Sequence, residues 1–165
     1  MSGTQSFLTI GSMAILALMS LRFNTTLLQS RTLEVENKVY LTAFSLADDL
    51  IEEIKQKAFD EQTIEWRSIN PEELSDADTF GPYDPGEYSV LDFDDIDDYH
   101  GYQKDVSAPH AEDYSITSTV HYVTAANQDV ISSTQTFFKR VTVQVTSPYM
   151  SHPVYLSFVF TLHSK

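Results

Sequence analysis

Apolar positions follow three different rhythms along the chain. From Phe7 to Leu21 (FLTIGSMAILALMSL) they are nearly continuous, with Thr9, Gly11, Ser12 and Ser20 diluting the ends. From Leu28 onward they recur at Val35, Val39, Ala43, Leu46, Ala47, Leu50, Ile54 and Ala58, mostly three or four apart, the spacing of one face of an α-helix. Past residue 113 the period changes to two. Tyr114, Ile116, Ser118, Val120 and Tyr122 form one alternation, Val141, Val143 and Val145 a second, and Val154, Leu156, Phe158, Phe160 and Leu162 the third and strongest. Alternation rich in Val, Thr, Phe and Tyr is a strand pattern.

No Pro or Gly lies between residues 12 and 70, so nothing forces a break between the apolar head and the amphipathic stripe. One helix from about residue 6 to about residue 58 is expected, roughly 80 Å long at 1.5 Å per residue. Asn24, Thr25 and Thr26 are the places where side chains compete for its backbone bonds. No heptad persists long enough for a coiled coil. The second half of the stripe needs a sheet to cover it, and Val39, Leu46, Leu50 and Ile54 are the expected packing residues.

The three alternations are separated by Ala125–Asp129 and by Ser147–Pro153, lengths that suit antiparallel hairpins. The expected fold is therefore α+β, a long N-terminal helix packed by its second half on a C-terminal antiparallel β-sheet. The chain divides into an apolar anchor or core helix (1–23), an amphipathic helix (24–59), an acidic loop region (60–113) and the sheet (114–165).

Charge sharpens this division. The 165-residue chain carries 24 Asp and Glu against 10 Lys and Arg, a net charge of −14. Residues 60–113 hold 17 of the acids and only two bases, Arg67 and Lys104, whereas residues 1–21 carry no charged side chain. So acidic a surface repels phosphate backbones, and no nucleic-acid partner is expected. With no cysteine, disulfides, thiolate metal sites and Cys nucleophiles are excluded.

The stretch from Phe7 to Phe23 is 17 residues, interrupted only by Arg22, which can snorkel. A bilayer span takes about 20 apolar residues. A cleaved signal peptide, a plain single-pass anchor and a head that serves first as membrane anchor and then as filament core are the three readings, and the last is preferred. The segment MSGTQS has no base, unlike a signal peptide's start. The positive-inside rule, applied to Arg22, Arg31 and Lys38, points the C-terminal domain inward. The acidic, strand-rich tail points to export, which is the expectation adopted.

The middle region has turn signals at Asn70-Pro71, Gly81-Pro82 and Asp84-Pro85-Gly86. It also holds Phe59, Trp66, Phe80, Tyr83, Tyr88, Phe93, Tyr99 and Tyr102, too many aromatics for a disordered tract. An ordered loop layer with a short strand or two, pinned to the core by these rings, is expected. Its densest acidic cluster is Asp92, Asp94, Asp95, Asp97 and Asp98. The metal reading of that cluster is a Ca²⁺ site; a solvated acidic face or helix-capping carboxylates are the structural readings. The spacing does not fit an EF-hand. His100 beside Asp97 and Asp98 reads as a hydrogen-bonding loop residue. No P-loop, GxGxxG, HExxH or GxSxG pattern occurs, and His100, His110, His121, His152 and His163 lack metal-ligand spacing. No enzyme is expected, and no cofactor beyond the candidate Ca²⁺.

Three stretches resemble one family: LADDLIEEIKQKAFDE (46–61), FDDIDDYHGY (93–102) and KRVTVQVTSP (139–148). With the order of parts, they resemble type IV pilins and pseudopilins, most closely minor pilins of the mannose-sensitive haemagglutinin type. The resemblance implies a structural subunit of an extracellular filament or pseudopilus. Its partners would be copies of itself or other pilin-like subunits, and it would reside in the inner membrane before assembly. Phe7, Leu8, Ile10, Met13, Ile15, Leu16, Leu18 and Leu21 would form the anchor and filament core. The start departs from the family pattern: Ser6 stands where a glycine is usual and Gly11 where a glutamate is usual. The alternative is an uncleaved single-pass membrane-anchored module that binds a partner or Ca²⁺ through the acidic loop.

Overall fold

Helix α1 runs unbroken through Gly3–Ile54, 52 residues, in the computed structural model, which describes residues 3–65, 70–82, 89–108 and 111–162. The chain divides into two compact units, Met1–Lys38 and Val39–Lys165. Within the first, α1 stabilises itself locally. Lys38 Nζ lies 2.8 Å from Glu34 Oε1, an i,i+4 pair. The hydroxyls of Thr9, Ser12, Thr25, Thr26 and Thr32 donate to carbonyls three or four residues back. Asn24–Thr26 therefore do not break the helix: the two threonine hydroxyls fold back onto the Arg22 carbonyl.

In the second unit, the buried face of α1 is Val39, Ala43, Ala47, Leu50, Ile51 and Ile54. Val39, Leu50 and Ile54 match the expected packing residues. Leu46 is only half-buried, at the margin of the same core, and Ile51 joins the buried face in its place. Leu28 and Val35, read as part of the same stripe, are exposed. The helix ends at Ile54, earlier than the periodicity suggests. Gln56 and Lys57 N–H groups bond three residues back rather than four. Ala58 then leaves the helix axis, donating to the Asp94 carbonyl and accepting from Ile96 N–H in a short parallel bridge.

Four strands form an antiparallel meander in the order β1-β2-β3-β4: β1 Gln103–Ala108, β2 Ala111–Tyr122, β3 Phe138–Thr146 and β4 Val154–Thr161. Val120 pairs with Val141, and Val141 with Phe158. One face of β2 and β3 presents Tyr114, Ile116, Val120, Val141, Val143 and Val145 to the core with α1, the α+β arrangement expected. Tyr114 Oη donates to the Val39 carbonyl and ties sheet to helix.

Two features differ from the sequence reading. Strand β1, QKDVSA, has no apolar alternation because it is an exposed edge; from Gln103 to Ser107 only Val106 is even half-buried. The strongest alternation, β4, forms the opposite edge, where no residue is fully buried and Phe158 stays 40 % exposed. Lys55 covers that ring, with Nζ 4.3 Å from its centroid.

The described residues of the acidic region form an ordered layer. It contains the short helix α2 (Gln62–Glu65) and single 3₁₀ turns at Pro71–Glu73, Ala77–Thr79 and Asp97–Tyr99. Phe59, Phe80, Phe93, Tyr99 and Tyr102 are buried in the core, as expected of its rings. Trp66, Tyr83 and Tyr88 lie outside the described residues, as do His110 and His163. Gly101 turns the chain from the 3₁₀ turn into β1 at φ +76°, a conformation that disfavours side chains.

Candidate functional site

Two constellations stand out, one in each unit. The first is the apolar head. Phe7, Leu8, Ile10, Met13, Ile15, Leu16, Leu18 and Leu21 are all exposed, by 61–81 %. Apart from half-buried Glu36, every described residue in Met1–Lys38 is exposed. The helix carries one stretch long and apolar enough to cross a membrane, none of it buried. Two of its hydroxyls are internally satisfied: Thr9 Oγ1 donates to Ser6 O at 2.9 Å and Ser12 Oγ to Thr9 O at 2.9 Å. A helical segment whose backbone groups bond to one another, with the Thr9 and Ser12 hydroxyls folded onto the backbone and no charge before Arg22, is suited to an apolar medium.

The second constellation is a buried lysine. Lys139 occupies an inward position on β3 among valines and is fully buried. Its Nζ donates to Asp60 Oδ2 at 2.6 Å, to Asp97 Oδ2 at 2.6 Å and to the Phe59 carbonyl at 2.8 Å. The rings of Phe59, Phe80 and Tyr122 surround it, with centroids 4.7, 5.1 and 5.2 Å from Nζ. Asp60 comes from the turn after α1, and Asp97 from the 3₁₀ turn of the acidic motif. The site thus joins helix exit, loop layer and sheet.

The two carboxylates are not equivalent. Asp60 Oδ1 accepts from Gln62 N–H, Ser75 N–H and Ser75 Oγ, while Oδ2 also accepts from Tyr122 Oη. Burial alone would raise Asp60, but the Lys139 charge and these donors outweigh it and hold the carboxyl below the usual range. Asp97 has Lys139 on Oδ2 and no partner on the buried Oδ1. Burial pushes its carboxyl up to about 8 despite Lys139. One lysine charge does not offset two buried carboxylates: hydrogen bonds from Gln62, Ser75 and Tyr122 favour the charged form of Asp60, and burial favours the protonated form of Asp97.

The rest of the acidic cluster organises the loop. Asp95 Oδ1 accepts from the Asp97 and Asp98 N–H groups, and Asp98 Oδ2 accepts from the Asp94 and Asp95 N–H groups. These reciprocal bonds cap the 3₁₀ turn, the structural reading of the motif. Asp95, Asp97 and Asp98 are buried; Asp92 and Asp94 are exposed, and Asp92 Oδ2 accepts from Ser89. Among the described residues, no group of three His, Asp or Glu side chains is placed to hold a metal ion. Tyr99 Oη donates to Glu53 Oε1, and Ser118 Oγ donates to the Tyr99 carbonyl, fixing the turn to α1 and β2. His100 Nδ1 sits 2.8 Å from the Val120 carbonyl oxygen, a loop-anchoring role. A cleft of about 460 Å³, lined by Glu61, Glu73, Ser75, Asp76, Asp95 and Asp97 among others, opens beside the buried centre.

Lys139 was not singled out among the candidate residues. Its signal was present: a cation takes an inward place in the alternation Lys139, Val141, Val143, Val145. Buried lysine requires paired carboxylates, and an acidic region elsewhere in the chain supplies them. No family model, no curated protein and no solved structure matches this chain.

Proposed function

We propose that this chain is a membrane-anchored structural subunit of a pilin-like filament, held in the membrane before assembly and in the filament afterwards by its apolar N-terminal helix. The observation that carries the reading is the exposed, uncharged face from Phe7 to Leu21. Burying eight such side chains at about 1.5–3 kcal/mol each is a large driving force that the chain does not use within its own fold. A bilayer satisfies it, and so does a bundle of the same helices from neighbouring subunits. The sheet and the acidic layer then form the outward-facing body. The resemblance of residues 46–61, 93–102 and 139–148 to minor pilins supports the same assignment. Gly11, in place of a buried glutamate, means that subunit register would rest on packing rather than on a carboxylate–ammonium pair.

Cell fractionation and purification of surface fibres test the proposal. The chain is expected in the membrane fraction and in sheared fibres, and deletion of residues 1–22 is expected to remove it from both. Fibres that lack the chain, together with unchanged localisation of the deletion variant, would sink the filament reading. Mass analysis of the native N-terminus would show whether it starts at Met1, at Phe7 or elsewhere.

A further inference from the structure

We propose that Lys139 and Asp97 condense into an intramolecular amide bond, with Asp60 as the proton acceptor, linking the acidic 3₁₀ turn covalently to strand β3. This inference is independent of how the N-terminal helix is used.

Three observations carry it. The amine Nζ lies 2.6 Å from an oxygen of each carboxyl group, so nucleophile, electrophile and base are already in contact. Intramolecular placement of this kind is equivalent to an effective concentration on the order of 10⁵–10⁸ M. The amine is shielded from solvent, with Lys139 and Asp60 side chains fully buried and the rings of Phe59, Phe80 and Tyr122 around it. Removal from water weakens the preference for ammonium and carboxylate that otherwise prevents an acid and an amine from condensing. Finally, the two acids are differentiated. Asp60 is held as the carboxylate by Ser75, Gln62 and Tyr122, which makes it a poor electrophile, and its Oδ2, 2.6 Å from Nζ, is the ionised oxygen in reach to accept a proton. Asp97 has an unpartnered buried oxygen, Oδ1, and burial favours its protonated form.

The step balances as follows. The Lys139 ammonium passes one proton to Asp60 Oδ2, leaving a neutral amine. Nζ attacks Cγ of the protonated Asp97 carboxyl group. The Nζ–Cγ bond forms and the Cγ–Oδ1 bond breaks. Oδ1 leaves as water, carrying its own proton and a second proton from Nζ, and the third Nζ hydrogen stays on the amide. Asp60 ends protonated and no redox partner is needed. The cleft lined by Asp95, Asp97 and Ser75 gives the water an exit.

Mass spectrometry of the full chain tests the bond. A tryptic digest of the detergent-solubilised protein is expected to contain residues 68–104 joined to residues 105–140, one water lighter than the two together, because the modified Lys139 resists cleavage. Both peptides lie beyond residue 57, so processing of the N-terminus leaves the measurement unaffected. Lys139→Ala and Asp97→Ala abolish the joined species, and Asp60→Asn abolishes it or slows its appearance in freshly made protein. Free peptides 105–139 and 68–104 from the wild-type chain would mean an ion pair only and would overturn the proposal, whether or not the variants fold. Residues 58–67 joined to residues 105–140 would overturn the choice of Asp97. Loss of one water without any joined peptides would place a dehydration elsewhere and overturn it too.

Discussion

Lys139 and Asp60 are 79 positions apart in the chain and 2.6 Å apart in the fold, with neither side chain exposed to solvent. A buried ion pair is costly to form and more costly to break, because removing one partner leaves the other charged in an apolar site. Compared with wild-type chains without the amide bond, Lys139→Met is therefore expected to destabilise the Val39–Lys165 unit by about 3–5 kcal/mol. Adding Asp60→Asn to that variant should recover part of the loss, since the stranded charge is gone. Chemical denaturation of both variants in detergent measures the coupling. Strict additivity of the two substitutions would show that the pair does not act as a unit.

The acidic motif makes a prediction about pH. Burial, and then the Asp98 carboxylate, push Asp95 up to about 7, whereas an unfolded aspartate titrates near about 4. Between those values the folded chain binds a proton that the unfolded chain releases. Stability is thus complete below about pH 4 and falls as pH rises, by up to about 1.4 kcal/mol per pH unit for one proton. In chains without the amide bond, Asp60 works in the opposite sense: its carboxyl, lowered by the Lys139 charge, contributes stability above about pH 4 that is lost on further acidification. In chains without the amide bond, Asp97, raised to about 8, extends the same fall with rising pH. Asp95→Asn keeps an oxygen for the Asp97 and Asp98 N–H groups but removes the titration. Urea midpoints across this range should fall less steeply in Asp95→Asn than in the wild type; parallel curves would refute the assignment.

The helix–sheet contact gives a third test. Ala43 and Ala47 have no exposed surface and let the backbone of α1 approach the sheet. Ala47→Leu is expected to cost about 1–3 kcal/mol through overpacking, and Ile54→Ala about 2–5 kcal/mol through the cavity it leaves. Leu46→Ala, at the half-buried margin, should cost clearly less than Ile54→Ala. Equal losses would mean that Leu46 is packed as deeply as the buried face.

The contrast between these sites explains what was legible in the sequence. Local periodicity reveals elements whose environment is uniform along their length. The continuous helix, strands β2 and β3 and the packing positions Val39, Leu50 and Ile54 were readable for that reason. Edge strands break the rule in both directions: exposed β1 carries no alternation, and β4 carries more than its edge position buries. The buried centre was illegible because it depends on pairing across the chain. Asp60, Asp97 and Lys139 belong to three segments with different patterns, and only the fold reveals that one inward lysine needs two of the surplus acids. The Asp92–Asp98 cluster reads as free carboxylates in sequence, whereas in the fold Asp95 and Asp98 cap the turn and Asp97 meets Lys139.

The apolar head separates anchoring from folding, and the two are testable apart. Leu16 lies in the middle of the uncharged stretch, 66 % exposed, within the unit that contributes nothing to the buried core. A charge there leaves the core contacts of Val39–Lys165 intact. Leu16→Arg should therefore leave the denaturation midpoint of the second unit within about 0.5 kcal/mol of wild type, as for a surface change. In a membrane the same charge costs about 2.5–3.5 kcal/mol at a helix centre. Membrane partition should fall by roughly two orders of magnitude, since about 1.4 kcal/mol is a factor of ten. Vesicle flotation of the purified chain measures partition, and denaturation in detergent measures stability on the same preparation. Loss of both together would mean that the head supports the fold itself, and retention of both would remove the membrane role from this segment.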